Sequence, residues 1–230
     1  MSSHTLRTAL YAPAKAKPAP KGAAPVSAAM SLEKVASNMA GSSSFSARRA
    51  ILFFTCTISG LLLDLVTKTA IFNWLGWPGE KQEVWLVYDY LGFQTSVNPG
   101  AVFGLGAGYT YLFVTLSFAA LGVIGYFAFI RKPALDSLLF YTLAFVSAGI
   151  LGNMYDRLGL HHTANMPEQF KYCVRDWILF QCRHIPLQIF NPWPNFNVAD
   201  CFLVLGSCIL AVHSFFIEEQ GKGESLKSEV

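Results

Sequence analysis

Four stretches of this chain run for about twenty residues with almost no charge, the length an α-helix needs to cross the hydrocarbon of a bilayer. The first lies within "ARRAILFFTCTISGLLLDLVTKTAIF", residues 47–72. The second runs from Tyr109 to Ile130, the third from Ser137, charge-free as far as Tyr155, and the fourth from Asn197 to Ile217. All four are too uniformly apolar to be ordinary amphipathic helices. Only 13% of the 230 residues are charged and 53% are hydrophobic, where a soluble domain carries about 25% charged residues. The fold expected is an all-α membrane protein with spans at about residues 50–71, 109–130, 137–157 and 197–217.

Lysine and arginine near the span ends set the orientation. Arg7, Lys15, Lys17, Lys21, Lys34, Arg48 and Arg49 precede the first span, and Arg131 and Lys132 stand in the short "RKP" turn between the second and third. Both termini and that turn are therefore expected on the cytoplasmic side, and residues 73–108 and 159–196 outside. All five tryptophans (Trp74, Trp77, Trp85, Trp177 and Trp193) fall in those two outer segments, as interfacial anchors should. The first outer loop contains "VWLVYDYLGFQTSVNPG". Its β-branched and aromatic residues predict a small β-rich cradle lying on the membrane. Residues 1–48, rich in Ala, Ser, Pro and Lys with Glu33 as the only acid, read as a disordered basic tail. The same composition suits an organellar transit peptide, and Met30 and Met39 are alternative starts. Residues 219–230 read as a cytoplasmic tail. The net charge of +3 comes mainly from the amino-terminal region and suggests membrane orientation before nucleic acid. Of the five cysteines, Cys173 and Cys182 share one polar loop and could form a disulfide if that loop meets an oxidising compartment; no metal-type spacing occurs.

This orientation gives each polar residue a depth. Asp64 and Lys68 lie near the outer end of the first span, spaced i,i+4 with the acid first. The third span ends in "GNMYDR", with Asn153, Asp156 and Arg157 at i, i+3 and i+4. The fourth begins with Asn197 and Asp200, and Asn98 in "NPGAVFG" precedes the second. Taken singly these are ordinary caps or ion pairs. Together, four helices bring polar groups to one boundary, where ionisable residues mark function. Ser59, Ser117, Ser147 and Ser207 have no histidine at their depth. His161 and His162 read as loop residues and His213 as a core residue. What remains on the outer face is aspartate, and two close carboxylates sharing a proton can hydrolyse a peptide bond.

"DLVTK", "NPGAVFG", "GNMYDRL" and "FNVADCFLVLG", in this order on four spans, resemble the lipoprotein signal peptidases (signal peptidase II) over roughly residues 50–217. The resemblance implies a bacterial inner-membrane aspartic endopeptidase that removes signal peptides from lipid-modified prolipoproteins, cutting on the amino side of the diacylglyceryl-cysteine. It makes Asp200 one catalytic acid and Asp176, in "CVRDWILF", the other, with Asp156 as the alternative for the second. Asn98, Asn153, Arg157 and Asn197 match residues that line or support the family's site, and Asp64, Lys68 and Asp156 further motif positions. It implies no cofactor and no metal; the partners expected are the prolipoprotein substrate and membrane phospholipid, with no nucleic acid, and the chain is expected to be a monomer. Two departures stand out: a long connection between Arg157 and Asp176, and Arg175 where the family has a small or aliphatic residue. A small polytopic transporter and a non-catalytic membrane assembly protein are the other readings. A transporter wants polar groups along a path through the bilayer, which the charge-free second and third spans do not offer.

Overall fold

The computed structural model describes residues 25–100, 106–130, 137–164, 166–182 and 191–228, with side chains described between residues 47 and 215 of those ranges. Helix α1 (Pro25–Leu75) is followed by strands β1 (Val84–Val87) and β2 (Leu91–Asn98). Helix α2 (Thr110–Gly125) continues into a π-helical turn, Tyr126–Ile130. After α3 (Ser137–Arg157) come a short 3₁₀ turn at Glu168–Phe170, strands β3 (Val174–Phe180) and β4 (Trp193–Phe196), and α4 (Val198–Ser228).

The four spans are Ala47–Leu75, Thr110–Ile130, Ser137–Arg157 and Val198–Phe215, each long and apolar enough to cross a membrane. They agree with the expected ones to within a few residues at each end. The composition of residues 25–46 led us to expect disorder, yet they are helical. Pro25 suits the first helical position, where its missing N–H costs nothing. The alanines, Met30, Leu32, Glu33 and Lys34 that follow are good helix formers. Residues 1–24 and the "RKP" turn lie outside the described residues.

Helix α3 is the centre of the bundle. Of its span 56% is buried, against 22%, 17% and 11% for α1, α2 and α4, whose outward faces carry Ile58, Leu62, Val66, Leu116, Val123 and Leu205. Small residues along α3 let its neighbours approach, as in other membrane bundles. A Cβ on Gly149 would stand 2.6 Å from the Ala199 carbonyl oxygen of α4, and one on Gly152 would collide with the Asp64 carboxylate of α1. Thr57 Oγ1 donates to Ala144 O at 3.0 Å, tying α1 to α3. At the end of the bundle away from the strands, Phe53, Phe129 and Phe140 pack edge to face, the arrangement aromatic quadrupoles favour.

Both long connections contribute to one antiparallel sheet of order β1-β2-β3-β4. The cradle is thus built from two loops, where the sequence placed strands only in the first. β3 escaped notice because its residues 174–177 are all buried, which erases the period-two pattern of a half-buried strand. Trp177 is buried as well, packed against Phe93, and so is a core residue of the sheet, not an interfacial anchor. Cys173 and Cys182 are free thiols. They flank the seven residues of β3, which span roughly 20 Å at about 3.3 Å per residue, whereas a disulfide needs Cα atoms within about 7 Å.

Candidate active site

Asn197 immediately precedes α4 and caps it. Its Oδ1 accepts the Asp200 N–H at 3.0 Å, and Asp200 Oδ2 accepts the Asn197 N–H at 3.1 Å, the reciprocal arrangement of a capping box. The local sequence thus fixes Asp200 in the first turn of α4. Asn197 is wholly buried, and its side-chain amide reaches away from the helix. Nδ2 donates to Asp176 Oδ1 at 2.7 Å, to Asn153 Oδ1 at 3.1 Å and, more weakly, to Arg175 O at 3.4 Å. Asn153, on α3, donates Nδ2 to Asp200 Oδ1 at 2.8 Å. Each asparagine side-chain amide therefore donates to one carboxylate, and the two amides are bonded to each other.

Asp176 and Asp200 line the same cavity of about 340 Å³, with Asn98, Ser117, Asn153, Arg157, Trp193 and Asn195 around it. Arg157 Nη2 donates to Gly100 O at 2.9 Å, and its guanidinium lies 5.3 Å from the Phe113 ring centre. Asn98 Oδ1 accepts the Gly100 N–H at 2.9 Å. Asn195 Nδ2 donates to Gln94 O at 2.9 Å, tying the β4 wall to β2. Burial, followed by repulsion from Asp200, holds the Asp176 carboxyl well above the usual carboxylate range.

Behind the asparagines lies a buried ion network. Lys68 is completely buried and its Nζ meets Asp64 Oδ2 at 2.7 Å, Asp156 Oδ2 at 3.2 Å and Asn153 Oδ1 at 3.2 Å, three acceptors for three N–H groups. Asp64 Oδ1 accepts the Ala199 N–H at 2.9 Å, so a carboxylate of α1 caps the first turn of α4. Asp156 Oδ1 takes Arg175 Nε at 3.1 Å and Nη2 at 2.8 Å, and Oδ2 takes the Arg175 backbone N–H at 3.0 Å.

All nine residues singled out in the sequence thus gather at one end of the bundle, in two layers. Asp176, Asp200, Asn98, Asn153 and Arg157 line the cavity; Asn197 bridges to it; Asp64, Lys68 and Asp156 do not line it. Of the other residues here, Asn195 was not singled out in the sequence, Ser117 and Trp193 were read as a span serine and an interfacial anchor, and Arg175 was noted only as a departure. The signal for Arg175 was its adjacency to Asp176. The side chain of His161, 2% exposed, puts Nδ1 3.5 Å from Asp156 Oδ1, and burial lowers its pKa to about 4. No cluster of three or more His, Cys, Asp or Glu among the described residues is placed to hold a metal ion.

Residues 56–216 match the family model described as signal peptidase (SPase) II. A lipoprotein signal peptidase of Rhodopirellula baltica is 43% identical over 187 residues, 81% of each chain. Those of Clostridium novyi and Pelotomaculum thermopropionicum are 30% and 36% identical, over 72% and 66% of this chain and 96% and 83% of theirs. Two solved structures, each described as a bacterial membrane enzyme, share the fold. Their TM-scores are 0.58 and 0.55, their identities 21% and 23%, and they match 71% and 70% of this chain and 87% and 91% of theirs.

Proposed function

Since the chain belongs to the signal peptidase II family and is an aspartic-type peptidase, we propose that it removes the signal peptide from lipid-modified prolipoproteins, cutting on the amino side of the diacylglyceryl-cysteine with Asp176 and Asp200 as its catalytic pair. The observation that carries this reading is the paired asparagine grip, in which Asn197 bonds Asp176, Asn153 bonds Asp200, and both acids face one cavity. Asp156, the alternative second acid, is engaged by Lys68 and Arg175 and stands apart from that cavity, which favours Asp176.

In the mechanism proposed, Asp176 carries the shared proton, in keeping with its burial and its neighbour's charge. Asp200, both of whose oxygens accept N–H bonds, acts as the base. It takes a proton from water as that water attacks the scissile carbonyl. Asp176 donates its hydrogen bond to the developing oxyanion, as a carboxyl kept neutral by its environment can. The proton gained by the base then goes to the leaving amine. The titration belongs to the pair, not to either acid. Arg157 and Asn98, on the cavity wall, are assigned to substrate backbone or lipid-ester oxygens. The enzyme works as a monomer in the bacterial inner membrane, in contact with phospholipid. The lysine and arginine distribution supports cytoplasmic termini and a site on the outer face.

The test is cleavage of a lipidated precursor, with unlipidated precursor as control. Asp176→Asn and Asp200→Asn should each lower the rate by about 10²–10⁴-fold, the usual worth of a general acid or base. Wild-type cleavage by either variant refutes the pair, and a normal Asp176→Asn beside a dead Asp156→Asn moves the second acid to Asp156.

A further inference from the structure

Consecutive residues of a strand face opposite ways. Val174 and Asp176 line the cavity of the proposed site, while Arg175 lines a separate pocket with Thr69, Asn73, Trp77, Tyr155 and His161. Asp176 therefore faces the substrate space only if β3 keeps its rotation there. The ladder enforces it on one edge only. Val174, Arg175 and Asp176 pair with Asn98, Val97 and Ser96 of β2, but the register shifts just beyond, between Phe93 and Ser96, and β4 pairs with β3 only at Ile178 and Phe180. Asp176 is therefore the last regular pair before a register shift, where a strand bends and twists, and its other edge is unpaired there.

The missing constraint is supplied from α3. Asp156 grips Arg175 at three points, the backbone N–H, Nε and Nη2, at 3.0, 3.1 and 2.8 Å. Arg175 Nη1 also reaches Thr69 Oγ1 of α1 at 3.4 Å, and Arg175 O accepts from Asn197. Asp156 is immobilised in turn by Lys68, and both Asp156 and Arg175 are buried. A guanidinium and a backbone N–H locked on one carboxylate define the strand's rotation in a way a flexible ammonium does not.

We infer that Arg175 is a positioning residue. Anchored by Asp156, it holds β3 so that the next side chain, Asp176, points into the cavity. This rests on the reading of Asp176 as one of the catalytic pair. The charged groups around Asp176 are Asp200 on α4, Asp156 and Arg157 on α3, Lys68 on α1 and Arg175 itself. Removing the Arg175 charge leaves Asp156 less compensated, and the extra negative charge favours the protonated pair.

Arg175→Met, assayed in detergent or nanodiscs on lipidated precursor, should lower kcat by up to about 10²-fold, the penalty for roughly 1 Å of misplacement. KM should stay within about twofold, since uniform binding is untouched. The alkaline limb of the pH–rate profile should move to higher pH. Arg175→Lys keeps the charge and loses the fork; it should restore the limb and recover only part of kcat. Wild-type kcat in either variant overturns the inference, as does a fall in kcat of Arg175→Met with the limb unmoved, which is what a purely structural role would give. Should Arg175→Met not fold, the outcome rests on kcat of Arg175→Lys. Asp176→Asn is run alongside: if it cleaves normally the catalytic pair is wrong, and if it is dead while Arg175→Met behaves as wild type only the positioning role fails.

Discussion

Lys68→Met should cost this protein more stability than any single change on its surface. The side chain is fully buried and its ammonium stands 2.7 Å from one carboxylate and 3.2 Å from another. At an effective dielectric of about 20 those contacts are worth about 6 and 5 kcal/mol, offset by several kcal/mol of desolvation for each ion. The net value of the cluster is therefore modest, but the cost of breaking it is not. Two carboxylates, Asp64 and Asp156, are balanced by two cations, Lys68 and Arg175, and methionine in place of Lys68 leaves one buried negative charge without a partner. Removing one member of a buried pair costs about 3–5 kcal/mol, which for a chain of this size lowers Tm by roughly 6–20 °C at about 2–4 °C per kcal/mol. Thermal unfolding in detergent, followed by tryptophan fluorescence, measures it. The sharper control is Asp64→Asn/Lys68→Met. It restores the charge balance and keeps an oxygen to accept the Ala199 N–H, so the double variant should regain at least half of the lost Tm. If Lys68→Met melts with the wild type, or if the double variant melts no higher than Lys68→Met, the account of the network as a charge-balanced unit is wrong.

The other expectations are shorter. Burial and Asp200 raise the Asp176 pKa, so the folded state binds the proton more tightly than the unfolded chain, and stability falls as pH rises from the ordinary carboxylate range through the folded pKa. Asp176→Asn should therefore melt above the wild type at neutral pH, with the gap closing near pH 4 in scans of Tm against pH. His161 has the opposite sign. With its folded pKa lowered to about 4, native stability is lost as pH falls from about 6.5 toward that value, and His161→Phe should flatten this acid limb in the same scans. Gly149→Ala and Gly152→Ala should each destabilise by about 1–3 kcal/mol through overpacking, read from Tm. The Gly152 Cβ meets Asp64 and Ala199, so that change should also lower cleavage, whereas the Gly149 Cβ meets Ala199 and Leu203.

How much of this was legible in the sequence depended on the range of the signal. The spans were, because twenty apolar residues make a local signal that tertiary context does not reverse. The Asn197–Asp200 relation was too, since a capping box is written at i,i+3. What escaped was whatever depends on distant pairs. Asp64 caps a helix that begins 134 residues later in the chain, and no local rule ties an aspartate in one apolar run to the start of another. β3 hid for the complementary reason: a strand covered on both faces loses its alternation, and Arg175 and Asp176 in the middle of "CVRDWILF" argue against burial until their partners are known. Those partners, Asp156 and Asn197, were themselves in hand as candidates. Spacing brought Asn153, Asp156 and Arg157 together on α3, but it could not say that Asp156 turns toward Lys68 and Arg175 while Asn153 and Arg157 line the cavity. That division follows from α3 being packed between α1 and α4. Its position lets one turn of helix serve two layers, the acids that face the substrate space and the ion network that holds their supports in place.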